Sequence, residues 1–158
     1  AHYYTANYLQ DNAIDQDELS PADLGPELTR HFRALRLWLP LKLIGVAPFR
    51  AALNEKILLT RYAYERMREQ EGFEMGPYPD LSTYVFRFVP AQGDIDDFNR
   101  RLIDELRRDG RIFLSSTTLD GRYMIRVNVL SYRTHLETMD LVIDVINENI
   151  QKLLQPDS

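Results

Sequence analysis

The residues that could do chemistry are few and widely spaced in this sequence. The three histidines, His2, His31 and His135, lie too far apart to form a local metal-binding motif. The acids of the D-I-D-D run at 94–97 are explained better by helix capping than by calcium, because no EF-hand spacing follows them. The sequence contains no G-x-S-x-G, Walker or G-x-G-x-x-G motif. It therefore predicts neither a metal site nor a complete catalytic site.

Charge and composition exclude several classes of function. The 158 residues carry 19 Lys and Arg against 24 Asp and Glu, a net charge of -5, which argues against nucleic-acid and anionic-membrane partners. The sequence has no cysteine, so disulfides and thiolate chemistry are excluded, and a cytoplasmic location is expected. No stretch approaches the roughly 20 apolar residues of a membrane span. The length predicts one domain, with an appended arm.

The arm is the segment 1–28, which has six acids and no Lys or Arg. A tyrosine-rich start and two turn-forming pairs, Ser20-Pro21 and Gly25-Pro26, interrupt any regular period. We interpret it as a long loop, and loops of this length are commonly functional or disordered.

Two helices are predicted after the arm. The first begins at Thr29 as N-cap and ends near Ile44, with Pro40 expected to kink or split it. Its arginines at 30, 33 and 36 form a basic row, and an adjacent apolar stripe predicts Trp38 as a core residue. The second helix runs from about Ala47 to Glu71.

The remainder of the chain changes to short strands and two further helices. The strands are expected at 73–75, 82–89, 111–117 and 122–130, the last two joined by the hairpin signal Leu119-Asp120-Gly121. A helix capped by Asp94 is predicted to about Arg108, and a final helix from a capping box at Thr134 to about Leu153.

This order predicts an α+β domain, with an antiparallel sheet of three to four strands covered by helices and preceded by a long helix pair. A stand-alone ligand-binding or protein-interaction module of the same order is an alternative, although such modules do not need the leading helices. An RNA-binding sheet is disfavoured by the acidic pI and by the lack of a K/R-G-F-G-F-type strand motif.

One stretch carries a family resemblance. R-H-F-R-A-L-R-L-W at 30–38 resembles the R-R-F-R-x-L-K-x-W stretch of the group II pyridoxal-phosphate decarboxylases, especially the aromatic-L-amino-acid branch. The similarity is weaker at 1–10 and 123–134. It implies the small C-terminal domain of a fold-type-I enzyme, with 1–28 as the mobile catalytic-loop arm, 29–71 as a helical linker and 72–158 as the small domain.

The resemblance also implies a cofactor that this chain does not hold. The family binds pyridoxal phosphate through a lysine in the large domain, usually in an H-K dipeptide, which is absent here. Lys42, Lys56 and Lys152 lack that context, so none is assigned this role. The expected partners are the large pyridoxal-phosphate-binding domain, a second subunit in a homodimer, and a small amino-acid substrate. The segment alone is expected to be inactive.

Three site residues follow from the resemblance. Tyr8 matches the tyrosine of the mobile catalytic loop, which would donate a proton to the substrate Cα after carbon dioxide leaves. Thr29 borders the expected pocket for the substrate side chain. Arg126 has the position of an arginine that grips the substrate carboxylate in related aminotransferases, and an ion pair at the domain boundary is an equal alternative.

Overall fold

The computed structural model describes residues 31–155, and its contacts divide the chain after Val46. The first unit contributes α1 (Leu35–Ile44). The second contains α2 (Ala47–Arg68), β1 (Phe73–Met75), β2 (Thr83–Phe88), α3 (Ile95–Asp109), β3 (Ser115–Leu119), β4 (Arg122–Asn128) and α4 (Leu136–Leu154). The four strands form one antiparallel sheet in the order β1-β2-β4-β3. The predicted α+β class is confirmed.

The α1 helix is apolar around most of its circumference, and none of its residues is buried. It continues through Pro40, so the predicted split does not occur, and it ends at Gly45, whose φ of 77° suits glycine. The prediction that Trp38 is a core residue is wrong for this chain, because its side chain is 52% exposed. A helix that is apolar around most of its circumference is normally buried against other parts of a protein on more than one side.

The core lies between one face of the sheet and a layer of three helices. Alternate residues of β2 and β4, Tyr84, Phe86, Ile125 and Val127, point into it. Helices α2 and α3 pack on the sheet, and α4 packs against both of them. Their buried positions include Ala63, Met67, Leu102, Ile103, Leu106, Ile146 and Ile150.

Several boundaries differ from the sequence prediction, and the largest difference is at the first helix, which begins at Leu35 although the sequence predicts its N-cap at Thr29. The third strand begins at Ser115, where its pairing with Arg126 of β4 starts, rather than at Arg111, whose side chain bonds to Asp109 and Glu148. The last helix has His135 as N-cap rather than Thr134, and the His135 N–H donates to the Thr138 hydroxyl at 3.4 Å. The hairpin prediction is confirmed, since Asp120 and Gly121 both have positive φ, as a two-residue turn requires.

Asn99 of α3 joins the helical layer to the sheet. Its side chain is fully buried and accepts from the Phe88 N–H at 2.9 Å, while its amide donates to the Phe88 carbonyl at 2.8 Å. The β2–β4 pairing ends at Phe86 and Ile125, so Asn99 supplies the hydrogen bonds that β4 would otherwise make at Phe88. One turn earlier, the Asp96 carboxylate accepts from the Tyr123 N–H at 3.3 Å.

We predict that Asn99→Leu destabilises the fold by about 2–5 kcal/mol, because a side chain of similar size leaves a buried donor and a buried acceptor unpaired. Urea denaturation of the chain measures this. The control is Asn128→Ala, which removes only an exposed bond to Thr83 and should cost less than about 0.5 kcal/mol. Equal denaturation midpoints for Asn99→Leu and the native chain would contradict the prediction.

Candidate functional site

The sheet has a second face, opposite the helical layer, which we call the open face. It is formed by the alternate residues Glu74, Val85, Arg87, Arg122, Met124 and Arg126, together with their neighbours on β3. The alternation of β4 puts Ile125 and Val127 into the core and therefore puts Arg126 on this face. The open face is rich in arginine in an otherwise acidic chain.

Arg87 and Arg122 on this face share one carboxylate. Arg87 Nε donates to Glu74 Oε2 at 2.7 Å, and Arg122 Nη1 donates to Glu74 Oε1 at 2.7 Å. Arg87 Nη1 also lies 3.9 Å from Asp96 Oδ1. Both guanidinium groups are thus bound by a carboxylate within the domain.

Arg126 is different. It is exposed at the centre of the open face, between Val85 of β2 and Ser115 of β3. Its Nε donates to the Ser115 hydroxyl at 3.0 Å, and no carboxylate among the described residues pairs with it. The anchored Nε leaves the two terminal nitrogens available for a bidentate contact with a carboxylate.

The other two predicted site residues, Tyr8 and Thr29, lie outside the described residues. All three roles therefore stay predictions. No set of three or more His, Asp and Glu side chains in residues 31–155 could hold a metal ion. None of the helices described is long and apolar enough to cross a bilayer.

The described lysines do not offer a site for pyridoxal phosphate. Lys42 and Lys152 are exposed. Lys56 is 4% exposed, but its ammonium already donates to Glu55 Oε2 at 2.9 Å and to the Thr134 carbonyl at 2.5 Å, with the Tyr132 carbonyl at 3.5 Å. The residues described therefore do not form a cofactor site by themselves.

Sequence reasoning missed this buried lysine. Glu55 and Lys56 are neighbours on α2, and Glu55 Oε1 contacts His135 Nδ1 at 2.7 Å. The hydrogen bond with His135 and then that with Lys56 lower the pKa of the Glu55 carboxyl. A lysine on the helix face that carries Leu59, Thr60 and Ala63 was the available signal.

Comparison with known proteins shows the family to which the chain is related. No family model matches it. The aromatic-L-amino-acid decarboxylase of Bacillus atrophaeus is 31% identical over 137 residues, which is 84% of this chain and 28% of that enzyme. The chain is homologous to a C-terminal portion of the group II pyridoxal-phosphate-dependent amino-acid decarboxylases. In the complete homologues the catalytic lysine lies outside this portion.

Two further relatives match the same portion of the chain. Phenylacetaldehyde synthase of Petunia hybrida is 27% identical over 158 residues, 92% of this chain and 31% of that enzyme. The crystal structure of Catharanthus roseus tryptophan decarboxylase in complex with L-tryptophan superposes with a TM-score of 0.72 and 28% identity, covering 78% of this chain and 27% of that one. The chain thus spans about a third or less of the length of these relatives.

We predict that Glu55→Gln reduces the loss of thermal stability that occurs as the pH is lowered from 7 to 3. The folded pKa of Glu55 lies below its unfolded value, so the carboxylate stabilises the fold above the unfolded pKa, and this stabilisation is lost as the pH falls through the folded pKa. The variant should melt below the native chain at pH 7 and lose less on acidification. Thermal melts between pH 7 and pH 3 measure this.

The control for that experiment is Asp104→Asn, which removes an exposed ion pair with Arg107 within α3. Its melting temperature should fall with decreasing pH as steeply as that of the native chain, because an exposed ion pair contributes little to stability. A Glu55→Gln curve parallel to the native curve throughout would contradict the assignment.

Proposed function

We propose that this chain is the C-terminal part of a decarboxylase that converts an aromatic L-amino acid to its amine and carbon dioxide. The homology to the Bacillus atrophaeus enzyme over 84% of the chain carries the proposal. Pyridoxal phosphate would be held by a lysine outside this segment and would supply the electron sink for loss of the carboxylate. The homology favours this function over a stand-alone binding module.

The open face supports a role for Arg126 in binding the substrate carboxylate. Its terminal nitrogens are exposed, and a hydroxyl fixes the side chain, so little rotamer freedom would be lost on binding. The alternative of an ion pair with the large domain uses the same nitrogens. Thr29 is proposed to border the substrate side-chain pocket, where its size would limit the substrate.

The arrangement proposed for the complete enzyme follows the same relationship. Residues 1–28 form the catalytic arm, 29–71 the helical linker and 72–158 the small domain, although the structure groups α2 with the sheet. The apolar surface of α1 suits burial against the large pyridoxal-phosphate-binding domain. We propose a cytoplasmic homodimer on the family resemblance alone.

The absorption spectrum of the complete polypeptide tests the proposed function. With pyridoxal phosphate bound to its lysine, the enzyme should absorb visible light and release carbon dioxide from an aromatic amino acid. The 158-residue segment alone should do neither. A complete polypeptide that stays colourless with added cofactor would overturn the proposal.

Tyr8 is the proposed proton donor. A phenol is protonated at neutral pH and can donate to the substrate Cα when held within hydrogen-bond reach. We predict that Tyr8→Phe in the complete enzyme lowers amine formation by about 10²–10⁴-fold, the usual contribution of general acid catalysis. Diversion of product to aldehyde is expected in aerated buffer, where dioxygen serves as the two-electron oxidant and water releases the aldehyde, ammonia and hydrogen peroxide; the relatives include a phenylacetaldehyde synthase.

Product analysis by chromatography measures both amine and aldehyde. Tyr3→Phe and Tyr4→Phe are matched controls from the same arm, and they should retain amine formation. Amine turnover by Tyr8→Phe at the native rate would remove Tyr8 from the mechanism, and loss in Tyr4→Phe instead would shift the assignment to that residue.

A further inference from the structure

The loop between β4 and α4, residues 130–134, is held by a buried charge. The Lys56 ammonium donates to the Thr134 carbonyl and contacts the Tyr132 carbonyl, so two of its three acceptors belong to this loop. Burying an ammonium costs several kcal/mol unless it is well paired. An apolar side chain in place of Lys56 could stabilise the fold equally well without this cost. We therefore interpret the buried ammonium as a device that fixes the position of the loop.

The loop is also tied at its end and within itself. Glu55 contacts His135 at the start of α4, directly after the loop. Inside it, the Thr134 N–H donates to the Ser131 carbonyl at 3.1 Å, and the Arg133 N–H donates to the Ser131 hydroxyl at 3.2 Å. These bonds fix the backbone that carries residues 132 and 133.

The side chains of this rigid loop face solvent. Leu130 is 74% exposed and Tyr132 is 70% exposed. Arg133 Nε donates to the Tyr132 hydroxyl at 2.8 Å, and its guanidinium lies 5.2 Å from the centre of the Tyr132 ring. No carboxylate among the described residues pairs with Arg133, so its terminal nitrogens are available. Tyrosine and arginine are the residue types that dominate binding energy at protein interfaces.

The loop continues the open face. Residues 126, 128 and 130 alternate along β4 and its extension, where the Val129 N–H still pairs with the Ser82 carbonyl. Leu130 therefore lies on the same side as Arg126. Both Arg126 and Arg133 have their Nε bound by a hydroxyl and their terminal nitrogens free of acids in the described chain. Arg126 is proposed above to bind the substrate carboxylate, which leaves Arg133 as the cation of this surface that is available to a carboxylate of a protein partner.

We propose that residues 130–133 form a docking surface for an acidic face of the pyridoxal-phosphate-binding portion of the enzyme, and that Lys56 is the positioning residue that holds this surface in place. Arg133 pairs with a carboxylate of that portion, and Leu130 and Tyr132 exclude water around the pair. This rests on the proposed function, since the partner is the remainder of the same enzyme.

Arg133→Glu tests the docking surface in two contexts. In the complete enzyme it should lower the melting temperature by at least about 2 °C at low salt, and less at 1 M salt, because an exposed pair is screened. In the 158-residue chain it should change the melting temperature by under about 1 °C. The control is Arg101→Glu, the same charge change at an exposed position of α3 that has no ion-pair partner within residues 31–155. It should be neutral in both contexts.

A double-mutant cycle tests the positioning role of Lys56. Lys56→Met should speed amide exchange of residues 131–135 by at least about tenfold, the effect of losing one hydrogen bond of about 1.4 kcal/mol. It should also reduce the effect of Arg133→Glu in the complete enzyme. Tyr62→Phe is the control, since it breaks a comparable α2–α4 bond to Asp140 away from the loop. It should leave both readouts unchanged.

The outcomes separate this proposal from the proposed function. A pyridoxal-phosphate-binding enzyme in which Arg133→Glu melts like the native protein overturns the docking surface alone. Equal losses in the complete enzyme and the isolated chain overturn it as well, because the residue is then needed only within the domain. The role of Lys56 is overturned if Lys56→Met leaves the amide exchange of residues 131–135 unchanged. It is also overturned if the effects of Lys56→Met and Arg133→Glu on the melting temperature of the complete enzyme are fully additive.

Discussion

The fold depends on how the helical layer replaces hydrogen bonds that the sheet leaves unmade. The pairing of β2 with β4 stops at Phe86 and Ile125, and beyond that point Asn99 binds both backbone groups of Phe88. A buried backbone N–H or carbonyl without a partner costs about as much as a lost hydrogen bond. The amide of Asn99 has one acceptor and two donors, so it can satisfy both groups, and an apolar residue of the same size could not.

The opposite end of the domain is fixed by charge rather than by an amide. Lys56 joins α2 to the loop before α4, and the bound Glu55 carboxylate offsets part of the cost of burying its ammonium. The two ties have different consequences. Asn99 satisfies the backbone groups of Phe88 where the pairing of β2 with β4 stops, so it contributes to folding. Lys56 fixes the backbone that carries the exposed Tyr132 and Arg133, so its proposed contribution is to recognition.

Periodicity and turn chemistry were enough to predict the α+β class, the hairpin at 120–121 and the Asp94 cap, because each depends on neighbours in sequence. The errors come from long-range contacts. The third strand starts where its pairing with Arg126 of β4 starts, which β propensity along 111–117 does not reveal, and the acceptors that hold Lys56 are 76 and 78 residues away in sequence. Trp38 was misplaced because apolar spacing cannot say which partner covers a helix.

The candidate site shows the same division between local and distant information. The alternation of β4 places Arg126 on the open face, but only the contacts reveal that Arg87 and Arg122 both bond to Glu74, whereas no carboxylate within residues 31–155 pairs with Arg126. The proposed catalysis would require this arginine and the Tyr8 phenol to reach one substrate, with pyridoxal phosphate held, as in the homologues, by a lysine outside this portion. In the arrangement proposed above, the open face is one wall of a site to which the arm of this chain contributes Tyr8 and the remainder of the enzyme contributes the cofactor. An unpaired, hydroxyl-anchored guanidinium is the kind of group such a wall can contribute, because it binds a carboxylate without any reacting group beside it.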